Sequence, residues 1–168
     1  LSRSMKIAIV HYHLQPGGVT RVIENTLQAW EENGTEIEAV ALSGRAYPGD
    51  RLPNTRVIDG LDYSSPQDAI DPRVLTERLR ESARDALGQA PDLWHIHNHS
   101  LGKNPSLTAT VSLLAKAGER ILLHPHDFAE DGRPGNYLSL GEVYPLIYPT
   151  GSHIHYAALN QRDRGFLA

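Results

Sequence analysis

Seven of the chain's nine histidines fall in three short stretches: His11 and His13, then His95, His97 and His99, then His124 and His126. Imidazole ionises close to neutrality, so it serves as acid, base or metal ligand. Asn98 and Asp127 sit directly beside two of these stretches. On an extended backbone His95, His97 and His99 recur at period two and point to one side. With Asp127 this H-x-H spacing suits a metal-dependent hydrolase. Against it, His95 lies inside an apolar run that neighbouring helices are expected to cover. Imidazoles at such places can also simply finish strands and satisfy loop carbonyls. The other candidate is the pair Gly17-Gly18, placed where an apolar run hands over to a helical pattern. Glycines there let a phosphate approach the backbone, at the positive end of the helix dipole. No third glycine follows at the dinucleotide spacing.

Nucleophilic catalysis has little support. There is no Cys, no G-x-S-x-G elbow and no serine in a triad context. Gly102-Lys103-Asn104 lacks the upstream glycine and the following Ser or Thr of a P-loop.

These residues need elements to position them, and the apolar periodicity alternates strand with helix. Residues 6–11 read as a strand, and 19–30 as a helix with Val19, Val22, Ile23, Leu27 and Trp30 inward. Asn33-Gly34 stops that helix, since both tolerate a left-handed cap. Residues 36–42 and 55–58 read as strands. Pro72 opens a second helix whose inner face is Leu75, Leu79 and Ala83, and whose mixed outer charges are solvated. A strand over 93–97, a helix over 106–117 ended by Gly118, and a strand over 120–124 follow. Residues 127–152 are irregular for a length that is usually functional or mobile. A strand over 153–159 and a helix over 161–167 complete the pattern. The fold class is α/β: a Rossmann-like, doubly wound parallel sheet of about six or seven strands with helices on both faces. Ligands of such sheets bind outside the carboxyl ends of the strands, where the glycine turn and the histidines fall. Residues 5–168 form one domain, and 1–4, ahead of Met5, read as a tag or upstream extension.

Composition narrows the classes. A net charge of −4 argues against nucleic acid as a partner. Absence of Cys removes disulfide and thiolate chemistry and suits a reducing compartment. No apolar run reaches the length of a membrane span. A receiver or flavodoxin-like domain fits poorly, because His11, Tyr12 and His13 stand where a receiver carries acidic residues. A non-catalytic binding module on the same scaffold stays open beside the hydrolase.

Four segments point more narrowly. Met5-Lys6-Ile7-Ala8-Ile9-Val10 runs into Gly17-Gly18 and the helix Val19-Thr20-Arg21-Val22-Ile23. Pro91-Asp92-Leu93-Trp94-His95-Ile96-His97-Asn98 is followed by Ile121-Leu122-Leu123-His124-Pro125-His126-Asp127, then by His155-Tyr156-Ala157-Ala158-Leu159-Asn160. In order and spacing these resemble the N-terminal domain of GT-B glycosyltransferases of family 4 (group 1). The resemblance implies transfer of a sugar from a nucleotide-sugar donor with retention, with no metal and no cofactor beyond that co-substrate. Gly17 and Gly18 would lie under the donor's diphosphate or sugar. His126 would be the catalytic histidine beside the reacting sugar, and His97, Asn98, Asp127 and Arg133 would shape the acceptor pocket. The acceptor would be a sugar, lipid or small molecule. The resemblance also implies a nucleotide-binding C-terminal domain, absent from this sequence and supplied by further chain or a partner chain. The 168-residue chain is then expected to be inactive alone. A cytoplasmic location, membrane-peripheral in the full-length enzyme, goes with the family.

Overall fold

The computed structural model describes residues 3–168. Of the extension read at 1–4, the first two residues lie outside that range. Arg3 and Ser4 reach onto the domain, Arg3 pairing with Asp92 at 3.0 Å and Ser4 donating to Glu38 at 2.7 Å.

The apolar runs become β1 (Met5–Val10), β2 (Ile37–Ser43), β3 (Thr55–Val57), β4 (Leu93–His97), β5 (Ile121–His124) and β6 (Ile154–Tyr156). All pair in parallel in a six-stranded sheet of order β3-β2-β1-β4-β5-β6. This is the Rossmann order, and it reverses between β1 and β4, opening a crevice at their carboxyl ends.

Alternation along each strand sorts the core into two layers. Ala8, Val10, Trp94, Ile96, Ile121 and Leu123 face one side. There they meet Leu75, Leu79 and Ala83 of α2 (Pro72–Leu87) and Leu107, Val111 and Leu114 of α3 (Pro105–Lys116). Ile7, Ile9 and Ala41 face the other side and pack with Ile23 of α1 (Gly18–Glu32) and with Leu14 and Leu52. The Trp94 ring N–H donates to Glu119 at 2.5 Å, and Arg80 of α2 holds the same carboxylate.

Helix boundaries follow local chemistry. Pro72 stands at the first helical position behind Asp71, whose carboxylate accepts the Arg73 N–H at 2.8 Å. Asn104 caps α3 by accepting from Ser106 and Leu107, so α3 starts one residue before the expected 106. After α1 only Gly34 is left-handed, with φ +62°, while Asn33 stays right-handed.

The connection from β2 to β3 is a loop, and its Tyr47 and Leu52 pack into the α1 layer. That loop begins at Gly44, where a side chain would collide with the Asp62 backbone. The irregular 127–152 segment contains three 3-10 turns, Ala129–Asp131, Pro134–Ser139 and Gly141–Leu146. β6 is three residues, not seven, because its one partner β5 is itself only four residues long. The expected last helix forms as α4 (Gln161–Leu167).

Candidate functional site at the switch of strand order

Parallel pairing of β4 with β5 sets His97 opposite His124. His95, His97 and His124 therefore project from the same sheet face as Ile7 and Ile9. Their rings stack: His95 on His97 with centroids 4.3 Å apart, and His124 on His126 at 4.4 Å. Two N···N hydrogen bonds cross between the strands. His97 Nδ1 meets His126 Nε2 at 2.8 Å, and His95 Nε2 meets His124 Nδ1 at 3.1 Å. His11 extends the row from the end of β1, its ring 6.3 Å from that of His97 and 5.8 Å from that of His13. The imidazoles thus run from the mouth of the glycine turn to His126.

Burial decides their charge. Desolvation brings His11, His95 and His126 down to about 4, neighbouring imidazoles adding to the effect at His95 and His126. His97 lies well below its ordinary value for the same reason. At neutral pH these rings are uncharged, each offering one N–H and one lone pair.

Asn98 fixes the geometry. It is the one non-glycine with positive φ among the described residues, at 53°, a conformation Asn tolerates better than most. Its side-chain oxygen accepts the backbone N–H of His126 at 2.7 Å and that of Asp127 at 3.3 Å. Its carbonyl accepts the Tyr12 hydroxyl at 2.8 Å. One buried residue therefore joins the carboxyl ends of β1, β4 and β5. The same left-handed step ends the period-two row. His99 turns away, its Nε2 meeting the Ile147 carbonyl at 2.7 Å, so the expected trio of His95, His97 and His99 does not form. His124 takes the third place, and one nitrogen from each of His95, His97 and His124 lies within 4.8 Å of the others.

The remaining expected residues divide between two clefts. His126, Asp127 and Arg133 line a cleft of about 220 Å³ with Asn160 and Arg162. Gly17 lines another, of about 300 Å³, between the start of α1 and the loop after β2, with Thr20, Arg21 and Arg51. Gly18 is exposed beside it. No side chain caps the first turn of α1, so its leading N–H groups are open to a ligand. A methyl group on Gly18 would meet no heavy atom within 4 Å, and one on Gly17 only the Gln15 carbonyl at 3.8 Å.

The sequence reading omitted the aromatic and basic rim. Tyr63 stacks edge-on against Tyr12 and His13 at 5.2 and 5.0 Å, with Lys103 Nζ 5.5 Å from its ring. Arg45 pairs with Asp62 next to it. The available signal was position: Tyr63 follows β3 and Lys103 follows β4, on loops past carboxyl ends.

Fold and site together define a doubly wound α/β domain with an anion-ready helix start beside a row of neutral imidazoles. No protein-family model matches the sequence. The sequence is 27% identical over 168 residues to mannosylglucosyl-3-phosphoglycerate synthase of Petrotoga mobilis, a match taking in 92% of this chain and 32% of that protein. The chain thus spans about a third of the length of that curated relative. An O-GlcNAc transferase mutant of Thermobaculum terrenum superposes with a TM-score of 0.33 and 13% identity, over 96% of this chain and 46% of that one. At that score the fold assignment rests on the strand order. No helix among the described residues is long and apolar enough to cross a membrane.

Proposed function

We propose that the chain is the N-terminal, acceptor-side domain of a retaining GT-B glycosyltransferase of family 4 that uses a nucleotide-sugar donor. The observation that carries this reading is the uncapped start of α1, where two glycines leave open space that no internal contact requires. A diphosphate fits there, its charge met by backbone N–H groups and the helix dipole. Similarity to the Petrotoga synthase supports sugar transfer as the reaction class.

In the proposed reaction the bond from the sugar's anomeric carbon to the phosphate breaks, and one to an acceptor oxygen forms. The acceptor's proton leaves with the phosphate. Negative charge on that phosphate grows against α1. His126, uncharged and held by His97 and Asn98, orients the acceptor hydroxyl and faces the oxocarbenium-like sugar. Asp127 and Arg133 share its cleft and shape the acceptor pocket. No side-chain nucleophile and no resident metal are assigned to this reaction. The nucleotide is held by a second domain or partner chain.

The test is His126→Ala in an active preparation of the domain joined to its nucleotide-binding half. Transfer falls about 100-fold or more, while His155→Ala, at an exposed position of β6, leaves it unchanged. Full transfer by His126→Ala overturns the assignment.

A further inference from the structure

We infer that His95, His97 and His124 form a binding site for one zinc-class divalent cation on the sheet face of β4 and β5. Three observations carry this, and none depends on the sugar-transfer reading.

The first is spacing. Two nitrogens bound to one tetrahedral zinc at about 2.0–2.1 Å lie about 3.3–3.4 Å apart. His95 Nε2 and His124 Nδ1 are 3.1 Å apart on parallel rings, 3° from coplanar orientation. All three ligand nitrogens fall within 4.8 Å, so a bound ion needs only side-chain adjustment.

The second is an unmet nitrogen. His97 is 1% exposed, and its Nε2 is buried with no hydrogen-bond partner. A buried imidazole nitrogen left unpaired is costly, and a metal bond would satisfy it. His97 Nδ1 is held by His126 at 2.8 Å, the kind of outer hydrogen bond that fixes the tautomer of a ligating histidine. Burial also keeps His95, His97 and His124 below their ordinary pKa, hence in the unprotonated form that binds metal.

The third is the donor set and its access. Three imidazoles and no carboxylate select zinc, cobalt, nickel or copper over magnesium and calcium, which take oxygen ligands. α1 packs over β1 and β2, while on the same face Leu122 and His124 are half-buried and His155 is exposed. A water can therefore reach the fourth coordination position. The ion would staple β4 to β5 and leave the His97–His126 contact in place.

The experiment is titration of the untagged, chelator-treated 168-residue chain with Zn²⁺ by calorimetry and with Co²⁺ by visible absorption. One equivalent of zinc binds, Co²⁺ gives the intense bands of tetrahedral coordination, and millimolar Mg²⁺ does not compete. Zinc at about 100 times its Kd raises the melting temperature by about 8 °C. His95→Gln and His124→Gln each weaken binding about 100-fold or more, with circular dichroism confirming the fold, while His155→Gln leaves it unchanged. If His95→Gln does not fold, His124→Gln, at a half-buried position, decides alone. Stoichiometry well below one, octahedral Co²⁺ bands, wild-type affinity in folded His124→Gln, or equal loss in His155→Gln each overturns the site.

Discussion

Gly17 and Gly18 are a case in which a glycine's purpose is read from what surrounds it. Neither lies in the left-handed region; Gly17, at φ 172°, is extended, a conformation open to any residue. Neither has a neighbour that a Cβ would strike, in contrast to Gly44. The protein itself therefore places no demand for glycine at either position; under the proposed function the donor's phosphate would supply one. Gly18→Ala should act oppositely on stability and binding. Alanine at the first position of α1 removes backbone entropy from the unfolded chain and raises stability by about 0.5 kcal/mol. The methyl group occupies the space offered to the diphosphate, so nucleotide-sugar affinity drops about tenfold. Urea denaturation and calorimetry measure the two. Unchanged affinity in Gly18→Ala removes the phosphate from this turn.

At the level of elements, the β4–β5 pair concentrates buried imidazole on one strip of sheet. His11, His95 and His99 titrate near 4 in the folded chain because burial disfavours their charged form. In the unfolded chain each titrates near 6.5. Between those values the unfolded state binds more protons, so stability rises with pH. Their contribution is complete above about pH 6.5 and is lost as pH falls through 4, each adding at most about 1.4 kcal/mol per pH unit. Thermal melts of the metal-free chain from pH 7.5 to 4.5 should show a steep loss beginning near 6.5, and a flat profile contradicts the burial of these rings. The same strip shows how far the residue pattern could be read. Both flanking strands and the presence of imidazole at their ends followed from apolar runs and spacing. The continuation to His99 did not hold, because it assumed an extended Asn98. Helix α2 was readable from Pro72 and its apolar stripe, whereas the Asn104 cap was overlooked behind Pro105. Tyr63 and Lys103 offered only their place past carboxyl ends as a signal, and their contact was not legible, since loops from β3 and β4 bring them together only after the sheet has formed.

For the whole molecule, the proposed function makes the sheet one wall of a ligand crevice. His126's cleft and the Gly17 cleft both open on the described surface, and the chain matches about a third of its relative's length. Under the proposed function the isolated chain should turn over no nucleotide sugar and bind it only weakly. Activity should appear once the nucleotide-binding half is joined to it or added. A product assay across donors makes the comparison, and robust transfer by the 168-residue chain alone refutes the division of labour. The Asn98 junction has a further consequence, for the order of assembly. Tyr12 and Asn98 are separated by 86 residues, and Asn98 and His126 by 28. A nascent chain that has emerged only to Asn98, just past β4, has Tyr12 and Asn98 in hand but no His126 and Asp127 amides to receive. The chemistry-bearing end of the sheet thus matures only after β1, β4 and β5 have all been translated, behind most of the hydrophobic layers of this domain.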